Sequence, residues 1–166
     1  MRPEDQDTGN QRYAVIPRTL TFLTHGDDVL LLRGAPNKRL WANRLNGVGG
    51  HVKPGEDILT AAIREVREET GLAVSALHLR ALVHIDGRSD RGGLLFVYTG
   101  LAPCRRVRPN GEGTLAWYDR DALPMSDLVE DLTELLPRVL CAEAWDIPIY
   151  GHYAPGPDGR YVFRFR

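Results

Sequence analysis

Residues 50–72, GHVKPGEDILTAAIREVREETGL, constrain the fold of this chain more than any other stretch. Between Gly55 and Gly71, the apolar residues Leu59, Ala62, Ile63 and Val66 recur at helical spacing, which predicts an amphipathic helix packed on a sheet. Glu56 and Asp57 place negative charge near its positive N-terminal end, and Gly71 tolerates the left-handed conformation that commonly closes a helix. At about 100° per residue, Glu65, Glu68 and Glu69 crowd into a separate sector of roughly 100°. Three carboxylates on one face repel each other unless a cation sits among them. Hard oxygen donors call for Mg2+, with Mn2+ as a substitute. An idle, solvated acidic face carries similar charges, but it gives Gly50, Arg64 and Gly71 no reason to keep fixed offsets from them.

The rest of the chain sets broad limits. Its 166 residues suggest one domain with a sizeable core, spanning 13–166 behind a polar, disordered lead at 1–12. Lys and Arg total 21 against 22 Asp and Glu, so bulk charge gives no support for a nucleic-acid or membrane surface. No apolar run approaches membrane-spanning length, and the opening MRPEDQDTGNQR lacks the apolar segment of a signal peptide. Cys104 and Cys141 form neither a disulfide framework nor a metal pair, and the expected location is the cytoplasm. The five histidines, His25, His51, His78, His84 and His152, show no metal-ligand spacing.

Apolar and β-branched runs predict strands at 18–24 and 29–33, forming a hairpin around His25-Gly26-Asp27-Asp28. Further strands are expected at 77–85, 93–101 and 114–118. Gly47, Gly49 and Gly50 permit close approach of the backbone to a ligand. A second helix is expected from Ser126, with Leu128, Leu132, Leu135 and Leu136 on one face, and Pro137 should break or kink it. The tail reads as a hairpin around Pro157-Asp158-Gly159. Mixed strands with one central and one late helix fit an α/β fold, an α/β/α sandwich with a mixed central sheet.

Residues 50–72 match a complete signature: glycine, five residues, glutamate, seven residues, then R-E-aliphatic-x-E-E-x-G-aliphatic. Seven fixed residues at roughly 6% usage and two aliphatic positions give a chance match of about one in ten million. Coincidence is therefore set aside, and the chain resembles the Nudix hydrolases, which cleave diphosphates linked to some other group. That family has the same sandwich fold. The resemblance implies metal ligands at Glu65, Glu68, Glu69, the Gly49 carbonyl and Glu112, which precedes Trp117-Tyr118 by the family's usual offset. It also implies that Arg64 holds a catalytic glutamate, that Glu56 fixes loop to helix, and that Glu65 or Glu112 takes the proton from water. Arg33 resembles the residue that grips terminal phosphates, with Lys38, Arg39, Arg44 and Lys53 nearby.

RLNGVGGHVKPGE resembles the same region of MutT-type triphosphatases, where an asparagine reads the base. That maps to Asn46, whose amide is both donor and acceptor. A turn residue beside glycine is the plainer reading. ALPMSDLVEDL resembles the stretch that gives an aspartate and a tryptophan to an oxidised purine in eukaryotic MutT homologues. The aspartate maps to Asp131, but Val129 stands at the tryptophan position and removes a stacking partner. Unaided, Asp131 reads as a solvated helix residue.

The resemblance thus implies a Mg2+-dependent pyrophosphohydrolase of a nucleoside triphosphate, with 8-oxo-dGTP as the leading substrate. It would act on a small nucleoside diphosphate-linked molecule and cleanse the nucleotide pool, as monomer or homodimer. ADP-ribose, a dinucleoside polyphosphate or capped RNA are the alternatives. Residues 81–93 lack the proline common in ADP-ribose hydrolases, and near-neutral charge speaks against RNA. A non-catalytic sensing module is more remote, because such proteins lose signature glutamates and this chain keeps them.

Overall fold

The computed structural model describes residues 13–87, 90–108, 111–143 and 146–166. The expected disordered lead at 1–12 lies outside them, as does Trp145, to which the sequence assigns no role. The hairpin expected around Gly26 is present as β1 (Ala14–His25) and β2 (Asp28–Gly34), with Gly26 at φ 61° in the turn. β3 (Leu45–Asn46), α1 (Ile58–Thr70), β4 (His78–Ile85) and β5 (Arg91–Leu101) follow, then β6 (Gly113–Asp119), α2 (Leu132–Cys141), β7 (Ile149–Pro155) and β8 (Tyr161–Phe165).

Among the described residues, eight strands form one mixed sheet in the order β3-β2-β1-β5-β4-β7-β8, with β6 paired to β2. β1 runs parallel to β5, and β4 parallel to β7. β2 is apolar along its length because both its faces are covered. Val29 and Leu31 enter one core with Leu132, Leu135 and Leu136 of α2, while Leu30 and Leu32 enter another with Val66 of α1. One helix therefore covers each face, and the α/β/α arrangement is observed.

β1 and β2 stay paired only near their turn, from Leu23–Leu30 to His25–Asp28. Beyond it they splay, and residues 45–51 fill the gap. Leu45 and Asn46 pair with β2, whereas Val48 and His51 bridge to Thr21 and Arg18 of β1. This wedge carries Asn46, Gly47, Gly49 and Gly50 into the middle of the molecule, beneath α1.

Two details of the helices differ from expectation. On α1 the buried residues are Ala61, Ala62, Val66, Glu69 and Thr70, while Leu59 and Ile63 are exposed. The inward face is turned by roughly 60° towards the glutamates. Small Ala61 and Ala62 permit close approach to the sheet, and the turn brings Glu69 onto the glycine wedge. The late segment is not one helix from Ser126: a 3-10 turn at Met125–Asp127 precedes α2, and Leu128 between them is extended. Leu128 still reaches the core because it bridges to Leu45, and Val129 N–H donates to the Leu45 carbonyl at 3.0 Å. Pro137 lies inside α2 without ending it. The proline removes a donor to the carbonyl four residues back, at Thr133, which is on the exposed side where water can serve it.

Candidate functional site

α1 begins at Asp57, whose carboxylate accepts from the Thr60 N–H at 2.9 Å, and ends at Gly71 in the left-handed conformation (φ 74°). These caps fix the span of the helix and so the direction of its acidic side chains. Arg64 is the hub beside them. It donates to both Glu56 oxygens at 3.0 and 2.7 Å, to Glu65 at 2.7 Å, to Glu68 at 3.0 Å and to the His51 carbonyl at 3.1 Å. Glu56 also accepts the Lys53 N–H at 2.7 Å, which ties the preceding loop to the helix. The guanidinium and that backbone donor hold the Glu56 carboxyl down at about 2.

A pH dependence of stability follows. Glu56 binds its proton less readily in the folded chain than at its ordinary 4.5, so its stabilisation is complete above that pH and is lost as pH falls towards about 2. Glu56→Gln should flatten the urea midpoint against pH across this window. An unchanged slope would show that the pair with Arg64 does not couple to folding.

Glu69 lies deeper. Gly49 sits between residues paired to β1, since Val48 O accepts from Thr21 and Gly50 O from Thr19. Its own polar groups therefore turn to the helix, and the Gly49 N–H donates to Glu69 Oε2 at 3.2 Å. Burial, with the charges of Glu65 and Glu112 added, pushes the Glu69 carboxyl up to about 7 against that hydrogen bond and the Lys38 charge. The Glu65 carboxylate packs on the Gly50 Cα, where a β-carbon would stand 2.6 Å from Oε1. Glu112, just before β6, is paired with Lys38. Gly49, Glu69, Glu112, Lys38 and Asn46 line one cavity. Glu68 is not among the lining residues: it is 54% exposed and 4.0 Å from Lys53.

A second cavity of about 360 Å3 adjoins the first, and Trp41, Arg44 and Leu95 line both. Asp131, Val129, Tyr153, Tyr161 and Phe163 line the second. Asp131 is thus not a solvated helix residue: burial raises its pKa, and Tyr153 Oη donates to Oδ2 at 2.8 Å. Asn46 faces the first cavity, and its Oδ1 accepts from the Gly47 N–H at 2.8 Å. Arg33 is engaged elsewhere, with Asp127 at 2.7 Å and the Asn43 carbonyl at 2.8 Å. That side chain braces the 35–44 loop to the 3-10 turn, and any phosphate contact would have to compete with Asp127.

Sequence reasoning left Trp41 unassigned and passed over Tyr153. Trp41 lies at the junction of the cavities, 49% exposed and at φ 59°, a rare conformation for a residue with a side chain. Strain of that kind in a loop was the signal, but it is invisible before folding. The structure also corrects the reading of the histidines: His84 and His152, with Asp86, place ligand atoms within 4.8 Å of one another.

The arrangement offers a cluster of hard oxygen donors next to a half-apolar cavity with one half-buried acid. A family model described as the NUDIX domain matches residues 16–139. An oxidized purine nucleoside triphosphate hydrolase from Danio rerio is 32% identical over 126 residues, covering 74% of this chain and 78% of that protein. The Mus musculus protein of the same description is 31% identical with the same coverage. Among solved structures, a MutT protein from Bacillus halodurans superposes with TM-score 0.74 at 23% identity, covering 91% of this chain and 97% of its own. A MutT protein from Methanosarcina mazei gives 0.65 at 22% identity, covering 78% and 94%.

Proposed function

Since the chain belongs to the Nudix family of hydrolases, we propose that it is a Mg2+-dependent pyrophosphohydrolase of oxidised purine nucleoside triphosphates. The leading substrate is 8-oxo-dGTP, and the products are the monophosphate and pyrophosphate. The carrying observation is the junction of two cavities, one with crowded carboxylates and one aromatic with a half-buried acid, joined by Trp41 and Arg44. Two relatives whose names specify oxidised purine triphosphates support the substrate class.

The donors suit a hard divalent cation. Glu69 is buried among like charges, and Glu65, Glu68, Glu112 and the Gly49 carbonyl supply further oxygens. When bound, such an ion would neutralise phosphate charge and lower the pKa of an attacking water. Arg64 keeps Glu65 oriented by a charge-assisted hydrogen bond. Glu65 or Glu112 accepts the water's proton, and one P–O–P bridge between α- and β-phosphates is broken for each water consumed. Lys38 and Arg44 draw the phosphates to the first cavity.

In the second cavity, Asp131 meets the purine edge. Tyr153 Oη holds one carboxylate oxygen at 2.8 Å and so orients the acid towards that edge. Trp41 supplies the ring that Val129 does not. The proposed role is cleansing of the nucleotide pool, with the cytoplasm as the proposed location. Among the described residues, no helix is long and apolar enough to cross a membrane.

The test is product analysis with Mg2+ on 8-oxo-dGTP, dGTP, ADP-ribose, a dinucleoside polyphosphate and capped RNA, with Glu68→Gln as control. The expected result is 8-oxo-dGTP cleaved to monophosphate and pyrophosphate well ahead of dGTP, and little turnover by the control. Trp41→Ala should raise KM by about tenfold with kcat nearly unchanged, since stacking is worth about 1–3 kcal/mol per base. Preference for ADP-ribose, the dinucleotide or capped RNA would overturn the substrate assignment.

A further inference from the structure

Parallel pairing of β4 with β7 sets His84 directly beside His152. Their rings stack with centroids 5.3 Å apart and planes 5° from parallel. Asp86, one residue past the end of β4, turns its carboxylate to both. Oδ1 is 3.6 Å from His84 Nδ1, and Oδ2 is 3.0 Å from His152 Nε2. Three donor atoms bound to one ion at about 2.0–2.1 Å in tetrahedral array stand roughly 3.3 Å apart. With one ligand atom taken from each residue, all lie within 4.8 Å of one another, so modest side-chain rotation closes the three onto one ion.

Two of the three residues, His84 and Asp86, are also held from behind. Tyr13 Oη lies 3.1 Å from His84 Nε2, the ring nitrogen turned away from the carboxylate. The Asp86 N–H donates to the Tyr153 carbonyl at 2.9 Å, and the Asp86 carbonyl accepts from Tyr161 Oη at 2.8 Å. Outer partners of this kind orient the ligands of protein metal sites.

We propose that His84, Asp86 and His152 form a second metal site, selective for Zn2+, separate from the glutamate cleft. Two imidazoles and one carboxylate suit Zn2+ and are poor donors for Mg2+. The three side chains are half-buried, between 33% and 44% exposed, so an ion can enter and a solvent molecule can complete the shell. Strand alternation puts His152 on the sheet face opposite to Tyr153, which lines the cavity of Asp131. The ion clamps β7 to β4 and so fixes the wall of that cavity from behind. The site is independent of which nucleotide the cleft accepts.

The experiment titrates the full chain with Co2+, a spectroscopic substitute for Zn2+, in a large excess of Mg2+ that occupies the glutamate cleft. One equivalent should bind with the visible absorption of a tetrahedral nitrogen–oxygen site, and Zn2+ should displace it. His84→Gln and His152→Gln should each weaken binding by about 100-fold or more, while Glu69→Gln leaves it unchanged. If either histidine variant loses its circular dichroism spectrum, the near-isosteric Asp86→Asn decides in its place. Absence of Co2+ uptake in excess Mg2+, uptake that survives these substitutions, or uptake lost in Glu69→Gln would overturn the proposal.

Discussion

Glu69→Gln is expected to lower kcat by about a thousandfold while the folded chain stays at least as stable as before. A thousandfold in rate corresponds to about 4 kcal/mol of activation free energy, the scale of a displaced catalytic metal. The stability half of the expectation comes from the surroundings. Glu69 is 9% exposed, faces the charges of Glu65 and Glu112, and accepts a backbone hydrogen bond from Gly49. A glutamine oxygen can accept the same N–H, and the substitution removes a like-charged neighbour from a buried place. Activity and stability should therefore move apart. The check is steady-state kinetics beside a urea midpoint on the same preparation. Retained turnover would remove Glu69 from the reaction, and a collapsed midpoint would make it a structural residue.

Gly49→Ala should do the reverse damage, destabilising the fold by about 4 kcal/mol or more. Gly49 has φ 156°, and a β-carbon there would stand 2.1 Å from the Thr19 carbonyl oxygen and 2.8 Å from its carbon. Those atoms belong to the backbone of β1. They cannot retreat without breaking the bonds from Thr19 N to Gly50 O at 2.8 Å and from Thr21 N to Val48 O at 2.7 Å. The neighbouring Gly50→Ala meets only the end of the Glu65 side chain, which can move. That variant should fold with a loss below about 1.5 kcal/mol, yet lose about tenfold or more in kcat because its carboxylate is pushed off Arg64. Denaturant midpoints and kcat for the pair distinguish these effects. Equal midpoints for both would mean the wedge is looser than its hydrogen bonds indicate.

Local pattern carried much of this fold. The hairpin at Gly26, the strands after α1, the caps of α1 and the terminal hairpin all follow from alternation, turn residues and capping chemistry within a few positions. What escaped was set by partners distant in the chain. Leu128 keeps helical spacing with Leu132 and Leu135, but its pairing with Leu45 holds it extended. Leu59 and Ile63 are apolar enough to have defined the inward face of α1, yet the need to seat Glu69 on Gly49 turned the helix past them. The histidine pair comes from strand register, and Arg33 finds Asp127 at a sequence separation of 94.

The site shows the same division. The acidic cluster of α1 could be read from one helical segment, because spacing puts those side chains on one face, and the place of Arg64 beside it followed from the family resemblance. The burial of Asp131 under Tyr153 could not, since it depends on β7 returning beside β4. Trp41 belongs to a loop whose course is fixed by contacts to Gly34 and Arg44, and composition does not reveal them.

The parallel pairing of β1 with β5 also governs how the chain reaches its native state. Ala14 meets Arg91 and Thr24 meets Leu101, partners roughly 80 residues apart, and β4 waits for β7 over a comparable length. Loop-closure entropy for such contacts is met before they stabilise anything, so folding should be slow for a domain of this size. During synthesis, Phe22 and Leu23 leave the ribosome well before the strand that covers their edge. The nascent chain therefore carries an open, apolar sheet edge until residue 101 emerges, and that interval is when it is most prone to aggregation.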